Sequence, residues 1–322
     1  MKFLAILLAL TATAVGIRGE TFTNSQGVAI EGEIKQADLD SGIVTLFVTA
    51  HGKDFEIPLS SLAADSQEKV KKWYEDSLPK AAEWVQPGAS HNLVFAELGN
   101  CNHDESPLNC NVYIPTNYSV DKPAPLLVWL GGGKGSNSYQ QATSVAGQDE
   151  FVCVSMPYPS FEGRDIFDRQ RDGGLVEFWE VHKAMLEAVE AAIPNLDPKV
   201  RAIAGFSNGA HSIGGYCSQV EEEFAGKFNV FIFGDGGVHE ASWAAKNFRD
   251  AHAYSCWGEI SENADMGQAT ANACEDARMK VTRSEMPETG HKFTPEEKEK
   301  VKLWLVETVI PERRAVESDD AL

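Results

Sequence analysis

The chain has 322 residues, 43% of them apolar and 24% charged, a composition that supports a full hydrophobic core and excludes a disordered or low-complexity protein. Its formal net charge is −20, from 28 basic and 48 acidic residues. Such an acidic surface repels phosphate backbones and so excludes nucleic acid as a partner.

At the N-terminus, Lys2 precedes an apolar run from Phe3 to Leu10, which ends in the small-residue exit Ala12-Thr13-Ala14. A positive start, a short apolar core and an A-x-A exit predict a secretory signal peptide over residues 1–19, hence a secreted product, extracellular or periplasmic. The run is too short to span a bilayer, and no later segment is long enough, so the protein is not membrane-spanning. No cysteine follows the run closely, which gives no sign of a lipid anchor.

Residues 20–63 read as a small β module. Short alternating runs at Val28–Ile34, Ile43–Val48 and Phe55–Leu59 are separated by turns containing Gly, Asp and Lys. From Thr21-Phe22-Thr23 to Ile57-Pro58-Leu59-Ser60-Ser61-Leu62 the module resembles the small Src-homology-3-like β-barrel domains of secreted bacterial proteins. A peptide partner, a glycan partner and a passive structural attachment stay open for it. Residues 64–89, polar and helical around Gln67–Trp73, then turn-rich near Pro79 and Pro87, read as a linker.

From residue 90 to 311 strands and helices alternate. Strand-like runs fall at Leu93–Leu98, Asn111–Ile114, Pro125–Leu130, Phe151–Met156, Val200–Phe206, Phe228–Phe233, Ala251–Trp257 and Lys280–Met286. The later ones are continuously apolar, as expected for strands covered on both faces. Between them, Leu175, Phe178, Trp179, His182, Met185, Leu186, Val189 and Ile193 form one helical stripe. Thr294-Pro295-Glu296-Glu297 predicts a helix start with a Thr cap and Pro at the first helical position. The expected fold class is α/β, a mostly parallel sheet with helices on both faces, plus the small all-β module and a tail at 312–322.

Six cysteines in a secreted chain predict disulfides and leave their pairing open. Cys101 and Cys110 flank a polar turn suited to a local bridge, and Cys256 and Cys274 lie in neighbouring elements. Cys153 and Cys217, inside apolar segments, read as buried free thiols. No C-x-x-C or His-x-His spacing points to a metal, and nothing in the sequence asks for a cofactor.

Chemistry concentrates at Gly205-Phe206-Ser207-Asn208-Gly209, directly after the strand Val200–Phe206 and before the helical segment Ala210–Cys217. G-x-S-x-G in a strand–turn–helix context is a nucleophile elbow: a sharp turn lifts the serine hydroxyl above the sheet and requires small neighbours. Hydrolysis of an ester passes through a tetrahedral oxyanion that needs two backbone N–H donors in place. One is expected from Asn208 and the other from the loop Leu130-Gly131-Gly132-Gly133-Lys134-Gly135, near Gly132. A phosphate-cradling role for that loop fails, since no Gly-Lys-Ser/Thr closes it and no G-x-G-x-x-G opens a helix.

His291, in the loop after the last strand, stands where a general base for Ser207 is needed. His211, on the helix after Ser207, and His182, on an apolar stripe, read as structural. His239 follows a Gly-Gly turn near the same strand ends.

Together these motifs resemble the α/β-hydrolase superfamily over about residues 90–310, and in particular secreted esterases of the feruloyl-esterase and polyhydroxyalkanoate-depolymerase kind, whose Ser-Asn-Gly elbow is similar to Ser207-Asn208-Gly209. The resemblance implies a serine esterase that forms an acyl-enzyme and acts on a small or polymeric ester such as an acylated polysaccharide. Two positions depart from it. Leu130 stands where the usual His-Gly-Gly-Gly loop has histidine, and Ser261 stands where an aspartate is expected after the strand ending at Trp257-Gly258. Glu262, adjacent, is the first choice for the acid, with Glu259, Asp265 and Asp235 open. In the loop Pro157-Tyr158-Pro159-Ser160-Phe161-Glu162-Gly163-Arg164, Tyr158 is expected to stack on substrate and Arg164 to meet a carboxylate. Two alternatives stay open: a hydrolase-fold binding protein that has lost its acid, and a peptidase on the same fold.

Overall fold

The computed structural model describes residues 19–39, 41–78, 80–160, 174–239 and 241–315. Residues 1–18 of the expected leader, the expected substrate residue Arg164 and residues 316–322 lie outside them. The chain divides into two units, residues 1–78 and 79–322.

The first unit is a four-stranded antiparallel sheet in sequence order: β1 (Glu20–Thr23), β2 (Ala29–Asp38), β3 (Ile43–Val48) and β4 (Lys53–Pro58). Strand β3 shows the period-two pattern at its plainest, with Val44, Leu46 and Val48 buried and their neighbours partly open. Past β4, the chain returns to the first strand: Leu62 forms an antiparallel bridge with Asn24, Ala63 N donates to Thr23 O at 2.8 Å and Ser25 N donates to Ser61 O at 2.8 Å. The helix Ala64–Ser77, in the stretch read as a linker, belongs to this unit. Its Val70 is fully buried with Phe22, Val44 and Leu46, Ser66 Oγ accepts from Thr23 N at 2.8 Å, and Lys69 Nζ donates to Thr21 O at 2.8 Å. Burying a valine side chain this way stabilises the unit by about 1.5–3 kcal/mol.

The second unit is built on an eight-stranded sheet. Its strands are β5 (Ser90–Val94), β6 (Asn109–Tyr113), β7 (Ala124–Leu130), β8 (Val152–Met156), β9 (Leu196–Phe206), β10 (Val230–Gly234), β11 (His252–Gly258) and β12 (Lys280–Met286). They lie in the order β12-β11-β10-β9-β7-β8-β6-β5. Strands β7 to β12 are parallel, and β6 runs against both of its neighbours. The run expected as a strand over Leu93–Leu98 ends at Val94. Phe95 then turns out of extended geometry, at φ −128° and ψ 57°, into a short 3-10 turn at Ala96–Leu98.

All seven residues of β7 are buried, and their alternation divides them between two cores. Leu126, Val128 and Leu130 face one core together with residues of the helices Leu175–Ala192, Asn208–Gln219 and Ala264–Asp276. Leu127 and Trp129 face the other, with residues from Tyr139–Ala146 and Pro295–Trp304. That is the physical reason the sequence reads as continuous apolar runs here. The cap at Thr294 forms as its residues imply: Thr294 Oγ1 accepts from Glu297 N at 3.2 Å, with Pro295 opening the helix.

The expected disulfides are absent: all six cysteines are buried free thiols. Cys256 packs into one core and Cys274 into the other, so the sheet separates them. Cys101 Sγ is directed at Pro107 O, 3.7 Å away, and accepts from Asn109 Nδ2 at 3.6 Å instead of meeting Cys110. Burial raises the pKa of all six thiols.

Candidate active site

Strand β9 ends at Phe206, and the next residue, Ser207, has φ 54° and ψ −117°, a conformation side chains rarely adopt. Holding a non-glycine residue there costs about 1–3 kcal/mol, so the surroundings must enforce it. They do so by close approach. A Cβ on Gly205 would overlap the backbone of Gly209, and one on Gly209 would overlap the carbonyl oxygen of Leu130. Ser207 N donates to Gly234 O at 2.9 Å, and His211 N donates to Ser207 O at 3.0 Å, which fixes the turn from both sides.

His291 Nε2 lies 2.9 Å from Ser207 Oγ. The ring stacks on Phe206, with centroids 4.9 Å apart and planes at 24°. Its other nitrogen, Nδ1, lies 2.6 Å from Asp235 Oδ2. A carboxylate only accepts, so Nδ1 carries the proton and Nε2 is left to accept from the serine hydroxyl. Ser207, His291 and Asp235 thus form one hydrogen-bonded row assembled from the ends of three parallel strands.

Asp235 follows β10, has φ 43° and is fully buried. Its Oδ1 accepts from Gly258 N at 3.1 Å and its Oδ2 from Ser261 Oγ at 2.8 Å. Asn263 Nδ2 donates to the Asp235 carbonyl at 3.1 Å and lies equally close to His291 Nδ1. Gly258 N, Ser261 Oγ and His291 Nδ1 thus hold a buried carboxylate that would otherwise be strongly disfavoured.

Glu262, the first-choice acid in the sequence reading, does not meet His291. The turn after β11 directs Ser261 inward to Asp235, and the next residue, Glu262, is exposed. Glu259 accepts from Glu288 N at 2.8 Å, away from the imidazole, and Asp265 is exposed at the start of the helix Ala264–Asp276.

The glycine loop lies against the elbow. A Cβ on Gly132 would come within 3.2 Å of Ser207 Cβ. Asn208 Nδ2 donates to Gly133 O at 2.8 Å, tying the residue after the serine to this loop. As first residue of the helix Asn208–Gln219, Asn208 has its backbone N–H in the helix's first turn.

Tyr158 also holds the loop, and here the sequence expectation is corrected. Its ring is fully buried, its hydroxyl donates to Gly131 O at 2.7 Å, and it packs edge-on against Phe178. It does not line the cleft. In the described part of that loop, Pro159 forms an antiparallel bridge with Cys101 and Ser160 N donates to Asn100 O at 2.7 Å.

His182 is the satisfied core histidine its position on the stripe implied. Nε2 lies 2.8 Å from Pro157 O, Nδ1 lies 2.9 Å from Tyr216 Oη, and burial lowers the pKa from 6.5 to about 4, so the ring is neutral. His211 Nδ1 lies 2.7 Å from Gly237 O, and burial lowers its pKa too. His239 is exposed. Elsewhere, Cys101 Sγ, a His103 ring nitrogen and an Asp104 carboxylate oxygen lie within 4.8 Å of one another, a donor set of the kind that holds a metal and one that the sequence reading did not identify.

A cleft of about 750 Å³ opens over the row, its walls including Trp129, Phe206, Phe293 and Lys298. The planes of Trp129 and Phe293 lie within 20° of each other, and those of Phe206 and Phe293 within 21°. None of these four was singled out from sequence. The three aromatic residues had a positional signal, since Trp129 and Phe206 lie at the carboxyl ends of β7 and β9 and Phe293 lies two residues from His291, whereas Lys298 sits on the following helix.

No protein-family model matches this chain, and no curated protein does either. Among solved structures, a putative dipeptidyl aminopeptidase IV from Bacteroides ovatus aligns with a TM-score of 0.51 at 12% identity, over 92% of this chain and 43% of that one. A structure of YahD with malic acid aligns at 0.45 and 16% identity, over 68% of this chain and all of that one. Thermogutta terrifontis esterase 2 phosphorylated by paraoxon aligns at 0.46 and 14% identity, over 70% and 95%. The strand order, with β6 alone antiparallel and the strained serine after the fifth strand of the sheet, decides the fold. This is an α/β-hydrolase fold. Within a hydrolase-fold sheet, the carboxyl edge of β9, β10 and β12 is where loops bring reacting groups together, and Ser207, Asp235 and His291 follow those strands. Among the described residues no helix is long and apolar enough to cross a membrane.

Proposed function

We propose that this protein is a serine hydrolase that cleaves carboxylic esters through an acyl-enzyme. The observation that carries the reading is the unbroken row Ser207 Oγ–His291 Nε2 at 2.9 Å and His291 Nδ1–Asp235 Oδ2 at 2.6 Å. In this reading Ser207 Oγ attacks the ester carbonyl while His291 Nε2 takes its proton. Asp235 keeps the proton on Nδ1 and stabilises the imidazolium that forms. The N–H groups of Asn208 and Gly132 receive the oxyanion, each such donor contributing about 10²–10³ in kcat. His291 then protonates the departing alkoxide. A water, deprotonated by the same nitrogen, attacks the acyl carbonyl and releases the acid and Ser207.

The leader pattern at residues 1–19 supports export, and the motif resemblance supports an acylated polysaccharide or a related polymer as substrate. The pairing of Asp235 with His291 supports the enzyme reading over that of a binding protein that has lost its acid.

A fluorophosphonate probe tests the assignment. The wild-type protein is expected to label and to hydrolyse p-nitrophenyl acetate above the buffer rate, and Ser207→Ala to do neither. Labelling that persists in Ser207→Ala, or a wild-type protein inert in both assays, would overturn it.

A further inference from the structure

The cleft beside Ser207 carries cationic groups that the hydrolytic row leaves unused. Lys292 follows His291 directly, Lys298 projects from the helix Pro295–Trp304, and both line the cleft. That helix holds three lysines. Lys300 pairs with Glu297 at 2.8 Å and Lys302 with Glu299 at 2.9 Å, each along the helix. Among the described residues Lys298 has no carboxylate partner. It is only partly exposed, its ammonium stands 5.8 Å from the centroid of the Phe293 ring, and burial lowers its pKa.

This placement departs from the rest of the chain. Acidic residues outnumber basic ones by 48 to 28, yet among the described residues none pairs with the half-buried lysine beside Ser207. A cation held in a partly dehydrated wall without its own counter-ion is stabilised most by an anion that arrives with the ligand, because the attraction strengthens as water leaves. The neighbouring surfaces are flat and apolar: the near-parallel faces of Trp129 and Phe293.

We propose that the cleft takes esters that carry a carboxylate, whose charge meets the Lys298 ammonium while the flat part of the substrate lies against Trp129 and Phe293. The proposal rests on the serine-hydrolase reading and names its substrate class. Lys292, on the opposite side of Phe293 in sequence, adds to the positive field at the mouth of the site.

Matched substrates test it. On the acyl side, the 4-nitrophenyl monoester of terephthalic acid is compared with 4-nitrophenyl 4-methylbenzoate. On the alcohol side, 3-carboxy-4-nitrophenyl acetate is compared with 4-nitrophenyl acetate. One of the two pairs is expected to show an anionic-over-neutral ratio of kcat/KM of about tenfold or more, which identifies the side that faces Lys298. In Lys298→Met that ratio falls about tenfold, in Lys298→Glu it falls further, and Lys298→Arg retains most of it. Lys302→Met, whose ammonium pairs with Glu299, leaves the ratio where it was. Equal rates within both pairs in the wild type, or a ratio insensitive to Lys298→Met, would overturn the proposal and leave the esterase reading standing. If no ester is cleaved, the esterase reading fails separately, and calorimetric titration of the Ser207→Ala protein with terephthalate still reads the subsite. Binding that weakens about tenfold in Ser207→Ala/Lys298→Met supports it, and no binding at millimolar ligand overturns it.

Discussion

Ser261 Oγ donates to Asp235 Oδ2 at 2.8 Å, the same carboxylate oxygen that meets His291 Nδ1 at 2.6 Å. The position after β11, where the resemblance placed an acid, therefore holds a hydroxyl that props up an acid supplied by the neighbouring strand. The two solutions share one point in space, because β10 and β11 are paired in register and end side by side.

That relationship separates the carboxylates by rate. Asp235→Asn is expected to lower kcat about 10⁴-fold, since the imidazole loses both its tautomer and its counter-charge. Ser261→Ala removes one of several donors and is expected to cost about tenfold. Glu259→Ala, Glu262→Ala and Asp265→Ala should stay within about twofold of wild type. Steady-state hydrolysis of p-nitrophenyl acetate by the five variants reads the series, and a large loss at Glu262 alone would reverse the assignment.

Tyr158 ties its hydroxyl to Gly131 O from a fully buried position. Tyr158→Phe leaves that carbonyl unpaired and is expected to lower stability by about 1–3 kcal/mol. The glycine loop relaxes with it, so kcat should fall more than KM rises. Denaturant unfolding and steady-state kinetics on one preparation report the two effects.

Glycines around the elbow should divide into two classes. Gly209→Ala forces a methyl into the Leu130 carbonyl, a backbone clash that no rotamer relieves. A loss of about 3 kcal/mol or more is expected, visible as a lower melting temperature. Gly132→Ala brings its methyl to contacts of 3.1–3.3 Å with Phe206 and Ser207, which a small shift can absorb. Here the fold should persist while kcat falls at least about tenfold, as the oxyanion pocket fills.

His182 makes stability depend on acidity. Its pKa falls from 6.5 in the open chain to about 4 when folded, so between those values the unfolded state binds more protons. Its contribution is complete above pH 6.5 and is lost as pH drops toward 4, by about 3 kcal/mol. Denaturant unfolding at pH 7 and pH 4 should show this slope, and His182→Gln should flatten it by that amount.

Sequence carried the parts of this site that local chemistry dictates. Ser207 was legible because a sharp turn demands Gly205 and Gly209, and His291 because a loop histidine follows the last strand of a regular βα series. Asp235 was harder to read. Its role depends on which strands lie side by side, and sequence order places it 56 residues from His291. A signal existed in a carboxylate directly after the apolar run Val230–Gly234, since a charge at the end of a buried strand needs partners. Tyr158 misled for the opposite reason: an aromatic ring in a loop past a strand end suits substrate contact, while long-range packing buries this ring and turns its hydroxyl to Gly131 O. In the first unit, the four residues of β1 are too few to show a period, and the Ala64–Ser77 helix is too polar to announce the single valine it buries.

All six sulfurs lie in the second unit, each with no surface open to solvent and each driven by burial toward its unreactive protonated form. A maleimide added to the folded protein has nothing to alkylate until that unit opens. Its uptake becomes a clock for opening, with the sulfurs reacting together at a pace that follows the population of the open chain.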